Sequence, residues 1–158
     1  MRKELTYTVA VKWTGNTGSG TSGYTDYERS HIISVSNKSD ILASSDTPFR
    51  GDSTKHNPED MLVASLSTCH MLWYLHLCAD AGIIVTDYTD NATGILVLPE
   101  GGKGYFSEVI LHPAVIITDE NRITEANELH NAARRSCFIA NSVNFSVNHQ
   151  PVCKAKNK

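Results

Sequence analysis

Leu5, Tyr7, Val9, Val11 and Trp13 alternate with Thr6, Thr8, Ala10 and Lys12. Period two predicts a half-buried strand. Tyr27, Arg29, His31, Ile33 and Val35 repeat the pattern. The intervening TGNTGSGTSG carries a formal GxGxxG at Gly18, Gly20 and Gly23. A dinucleotide site would need a helix next, whereas an alternating, Tyr-rich strand pattern follows, so the segment reads as a hairpin loop. Residues 39–56 read as a short strand and then a loop around Pro48, Gly51 and Asp52. Residues 82–118 read as two strands about a Gly-rich turn at 99–104. A second helix is expected near 123–139, with Ala126, His130, Ala133 and Cys137 on one stripe at spacings of four, three and four. VNFSVNHQPV reads as a final short strand.

The longest signal lies between these strands. Residues 61–79 contain no Asp, Glu, Lys or Arg. Asn57 fits a helix N-cap, Pro58 the first helical position, and Glu59 with Asp60 the positive end of the dipole. Gly82 is a stop. A helix over 58–81 would run about 36 Å at ~1.5 Å per residue. Such a run approaches the roughly 20 residues of a membrane span. Yet it includes Ser65, Ser67, Thr68, His70 and His76, and its flanks are acidic with no adjacent Lys or Arg anchor. A central buried helix is the better reading. One short chain has little with which to surround it, so a dimer is expected. The order strands, long helix, strands, helix, strand predicts an α+β fold, as a single domain over residues 1–158.

Composition narrows the function. Net charge is −3 over 158 residues, so no broad basic footprint points to nucleic acid. Positive charge clusters only in the 154–158 tail, which reads as solvated and flexible. No signal-peptide pattern opens the chain, and a cytoplasmic location with reduced thiols is expected. Cys69, Cys78, Cys137 and Cys153 form no CxxC pair. A metal module using Cys69, His70 and His76 has no spacing to support it.

Cys69 stands about three turns inside its helix, where the dipole no longer lowers a thiol's pKa. A reactive thiolate there needs a neighbouring cation. On residue chemistry alone, a buried and inert cysteine is the simpler reading.

HNPEDMLVASLSTCHM, taken with AARRSCFIANSV, resembles the OsmC/Ohr family of organic hydroperoxide reductases. The shared pattern is Asn-Pro-Glu opening a long helix, small residues, Cys69 ten positions after Glu59, and a second cysteine in the next helix. The resemblance implies antiparallel sheets with two long central helices, an intertwined homodimer, and active sites at its interface. It implies that Cys69 is the peroxidatic thiol and Cys137 the resolving one. Cys69 would become a sulfenic acid and then a disulfide with Cys137, recycled by an external dithiol of, for example, lipoyl type. No cofactor, metal, nucleic acid or membrane is implied. Glu59 matches a glutamate that orients a catalytic arginine. The family's arginine position in the Gly-rich loop is empty here. Arg29 is the choice for that role and Arg50 its rival. Cys78 is expected in the core and Cys153 in the tail. Two other readings stand beside the enzyme: a redox sensor and a small-ligand carrier on the same fold.

Overall fold

The computed structural model describes residues 3–156. It comprises two compact units divided after Met61. The N-terminal unit is an antiparallel meander of β1 (Ala10–Trp13), β2 (His31–Ser34) and β3 (Ile41–Ala43). Trp13 pairs with His31, and His31 with Ala43. The Trp13 indole donates to the Glu28 carbonyl at 2.8 Å, drawing the loop base closed. Gly15 is required there, because a Cβ would lie 2.0 Å from the same carbonyl oxygen. Across the loop, Asn16 Oδ1 accepts from the N–H groups of Gly18 and Gly20. The next regular element is β2, not a helix, so the glycines shape a turn.

The first strand is shorter than its pattern. Only residues 10–13 pair, and the apolar alternation extends beyond the ladder, with Leu5 66% exposed and Tyr7 84%. Tyr27 makes an isolated bridge to Asn16, and Arg29 precedes β2. A short 3-10 turn at Thr47–Phe49 follows β3.

Helix α1 (Pro58–Asp80) begins and ends on the expected signals. Asn57 Oδ1 accepts from the Asp60 N–H at 2.7 Å. Gly82, at φ +68°, closes the helix while Ile83 N–H reaches the Cys78 carbonyl at 2.8 Å. The helix is long and apolar enough to cross a membrane by composition. It is not buried all round within the chain. One stripe is buried, Leu66, His70, Tyr74 and Cys78, at every fourth residue. Leu72 on the far side is 62% exposed.

Beyond α1 the two expected strands are four: β4 (Val85–Asp90), β5 (Thr93–Val97), β6 (Tyr105–Leu111) and β7 (Pro113–Ile117). The long hairpin breaks at residues 91–92 on one side and at His112 on the other. Asp90 fixes that corner. Its Oδ1 accepts the His112 N–H at 2.7 Å and its Oδ2 accepts the Ser67 hydroxyl of α1. The hairpin therefore splits into two sheets, β4-β7-β9 and β5-β6-β8. The last strand is likewise two, β8 (Ser146–His149) and β9 (Val152–Ala155), each parallel to its neighbour. Lys154 and Ala155 are thus paired strand residues, and Cys153 is a buried core thiol rather than a tail one. Residues 157 and 158 of the basic segment lie outside the described residues.

Helix α2 (Ile123–Ser136) stops three residues short of its expected end. Cys137 is its C-cap, in extended conformation, and a 3-10 turn at Ala140–Ser142 follows. The stripe Ala126, His130, Ala133 and Cys137 is buried throughout. Two apolar clusters result within the C-terminal unit. Tyr74, Cys78, Val115, Ile117, Ala126 and Cys153 belong to one. Leu66, Val109, Leu111, Cys137, Ala140 and Val147 belong to the other. Trp73 touches both.

Candidate active site

Cys69 and Cys137 meet at the second cluster. Cys69 comes from mid-α1 and is half-buried. Cys137 comes from the end of α2 and is 1% exposed. The Cys69 thiol lies close enough to Cys137 to perturb its ionisation. Burial first, and then the Cys69 thiol, push Cys137 up to about 11. The Ala140 N–H donates to Cys137 Sγ at 3.3 Å and opposes that rise. The end of α2 makes this possible. An extended C-cap turns the chain away, so the sulfur points back at α1 while Phe138 turns outward, 69% exposed.

The surroundings are apolar with small polar groups on the helix. Val63, Trp73, Ile139 and Val143 pack at the cluster's margin with Cys69. Phe138 meets Trp73 edge to face, ring centres 5.5 Å apart. The hydroxyls beside Cys69 are turned to local acceptors: Thr68 to the Ala64 carbonyl at 2.8 Å, Ser65 to the Leu62 carbonyl at 2.7 Å. Ser67 is bound to Asp90. Helix and sheet approach closely at Gly94 of β5, where a Cβ would lie 2.6 Å from Val63.

The remaining expected site residues belong to the N-terminal unit. Glu59 stands in the first turn of α1, and its Oε2 is buried without a hydrogen-bond partner. Arg29 donates to the carbonyls of Tyr27 and Tyr24 at 2.6 and 2.8 Å. It also stacks on both tyrosine rings, at 4.1 and 4.4 Å. Arg50 is exposed in left-handed conformation (φ 63°) after the 3-10 turn.

Cys69, His70 and His76 do not converge. His76 is exposed and reaches Asp80 at 3.4 Å. His70 is buried and faces His130, Nε2 to Nδ1 at 2.9 Å. Among the described residues no group of three or more His, Cys, Asp or Glu is arranged to hold a metal ion.

The His70–His130 pair is a feature the pattern analysis missed. The His130 ring stacks on Tyr74 at 3.9 Å, and His149 of β8 lies 5.5 Å from His70. Burial is the main cause that lowers both imidazoles, His70 to about 4 and His130 to about 3. Burial also raises Tyr74 and Tyr88 well above the usual phenol range. The available signal was a histidine at a core position of each helical stripe.

The family profile described as OsmC-like protein matches residues 51–151. No curated protein matches the chain. Among solved structures, an OsmC-like protein of unknown function from Vibrio cholerae is 32% identical, with TM-score 0.84 over 94% of this chain and 100% of that one. An organic hydroperoxide resistance protein from Elizabethkingia anophelis is 19% identical, with TM-score 0.67 over 98% of this chain and 100% of that one. The organic hydroperoxide resistance protein OhrB of Bacillus subtilis is 19% identical, with TM-score 0.62 over 95% and 98%. At those last identities the likeness is one of fold. With a profile spanning the cysteine-bearing helices and a relative aligned over nearly the whole length, the chain belongs to the OsmC-like protein family.

Proposed function

We propose that this protein is a thiol-dependent peroxidase that reduces organic hydroperoxides to alcohols. The observation that carries the reading is a half-exposed thiol on a helix with a buried second thiol within its reach. The Cys69 thiolate attacks the terminal peroxide oxygen. The O–O bond breaks, Cys69 becomes a sulfenic acid, and the alkoxide leaves and takes up a proton. The Cys137 sulfur then displaces hydroxide from the sulfenic acid, which departs as water once protonated, forming the Cys69–Cys137 disulfide. An external dithiol reduces it by exchange, becoming a disulfide itself. Apolar walls from Val63, Trp73 and Val143 suit an alkyl or aryl peroxide better than hydrogen peroxide. The names of the Elizabethkingia and Bacillus fold relatives support the same chemistry.

In this reading an arginine, Arg29 or Arg50, stabilises the thiolate and Glu59 orients that arginine, a role that its buried, unpartnered oxygen supports. Arg29 must leave the Tyr24 and Tyr27 carbonyls to serve. A homodimer is part of the proposal, supported by exposed Leu5, Tyr7, Val9, Val11 and Leu72. The chemistry requires a reducing compartment such as the cytoplasm.

A second reading has one observation in its favour. A resolving thiol raised to about 11 is mostly protonated at neutral pH. It would form the disulfide slowly and leave a long-lived sulfenic acid, as a redox sensor needs. Steady-state consumption of cumene hydroperoxide with a dithiol, by wild type and Cys69→Ser, separates the two. Turnover in wild type alone supports the peroxidase. A single stoichiometric oxidation without turnover supports the sensor.

A further inference from the structure

The two helices that carry the thiols are joined by a polar contact in an apolar place. α1 and α2 pack antiparallel: Leu66 and Cys69 share a cluster with Cys137, while Tyr74 shares one with Ala126. Between these ends, His70 and His130 make their 2.9 Å bond at 1% and 0% exposure. A neutral pair needs one N–H and one lone pair between the rings. Each ring then keeps one outer nitrogen, His70 Nδ1 and His130 Nε2, and both are buried without a partner. One is an orphan donor and the other an orphan acceptor, whichever tautomer is present. Aliphatic side chains would avoid that cost. A local rule broken at a core position, next in sequence to Cys69 and on the same stripe as Cys137, points to a role beyond packing.

We propose that the His70–His130 pair is an acid-sensitive latch that positions Cys137 against Cys69. The inference rests on the thiol pair's proposed role. One added proton still leaves a hydrogen bond between the rings. A second makes every ring nitrogen a donor, so the rings repel and α2 separates from α1. The surroundings favour the neutral state. Tyr74 faces the pair from α1, Arg134 from α2, and His149 from β8. Asp90, at the end of β4, is the one anion acting on His70, and it already accepts from Ser67 and the His112 N–H. Tyr88 of β4 backs Tyr74 and carries no charge at these pH values. Solvent protons have a route, because His149 lines a surface cavity of about 500 Å³ with Arg134, Asn131 and Gln150. His70 and His130 are therefore positioning residues. Their effect on the thiols passes through α2.

Because opening takes up two protons, its equilibrium constant should rise about 100-fold per pH unit between pH 6 and 5. The test is Cys137 labelling by 4,4′-dithiodipyridine. The rate is normalised to the urea-unfolded protein at the same pH, which removes the thiolate dependence. In wild type, Cys137 protection should fall about 100-fold per pH unit, while β6 and β7 amides stay protected from hydrogen exchange. In His70→Phe/His130→Phe, protection should be flat. The latch is overturned by flat wild-type protection, by the same fall in the double variant, or by β6 and β7 amides opening in step with Cys137. Should the double variant not fold, ring ¹⁵N shifts of wild type decide. Two rings neutral at pH 6.5 that gain protons together below pH 5 support the latch, and independent titration near pH 6.5 overturns it. Peroxide consumption at pH 7.5 is read separately, so its absence would sink the peroxidase without touching the labelling result.

Discussion

Helix α1 carries two cysteines nine residues apart, and each stands near a second thiol. Cys69 is half-buried, with Cys137 close enough to feel its thiol. Cys78 is 1% exposed and Cys153 8%. Burial raises the pKa of both, and their contact is electrostatic with no hydrogen bond between them. The Tyr74 hydroxyl, buried without a hydrogen-bond partner, is the neighbour that opposes that rise at Cys78. The sulfur chemistry is identical, so the difference is one of access. A peroxide must reach the first sulfur, and a second must follow within bonding distance. Of the two pairs, the one at Cys69 is the more accessible.

The largest expected effect is at the first pair. Cys69→Ser should reduce hydroperoxide consumption to the uncatalysed background, read by steady-state assay. Cys137→Ser comes next. It should consume one equivalent and stall as a sulfenic acid that a dimedone-type probe traps, seen by intact mass. If Cys78→Ala abolished turnover as well, the contrast between the pairs would be lost. Instead it should leave turnover unchanged and cost about 1–2 kcal/mol of stability in urea, for a small cavity in a closed cluster.

Acid sharpens the same contrast. His70 and His130 lie below the ordinary imidazole value in the folded chain, at about 4 and about 3. The unfolded chain therefore binds more protons below about pH 6.5, the free histidine value. Stability is full above that pH and declines as pH falls toward 4. The slope approaches roughly 2.7 kcal/mol per pH unit for two groups. Urea titrations at pH 7, 6 and 5 check it. A smaller effect is expected at Gly94→Ala. Its Cβ would press on Val63 and Phe106, both side chains able to shift, so about 1–2 kcal/mol should be lost.

How far the chain could be read from its letters varied with the range of the interactions involved. The limits of α1 were legible because capping is local: Asn57, Pro58 and Gly82 act within a turn of their positions. The hairpin's division into four strands was not. It depends on Asp90 joining Ser67 and His112, groups 22 or 23 positions away. The apolar alternation at Leu5 to Trp13 overstated β1, since periodicity records which side chains seek cover and not which backbone groups pair. Cys69 and Cys137 were reached through a resemblance, and their proximity emerged only from the antiparallel packing of two helices. The His70–His130 bond spans 60 residues and had only the weak signal of a titratable group on each buried stripe.

The central claim, that Cys69 and Cys137 act as a pair, is tested most directly by peptide mapping after one equivalent of organic hydroperoxide at pH 7.5. The account predicts a Cys69–Cys137 disulfide, with Cys78 and Cys153 recovered as free thiols. Disulfide geometry requires Cα atoms within about 7 Å, which the two helices must supply. Cys69 recovered unlinked, or joined to Cys78 or Cys153, would contradict it.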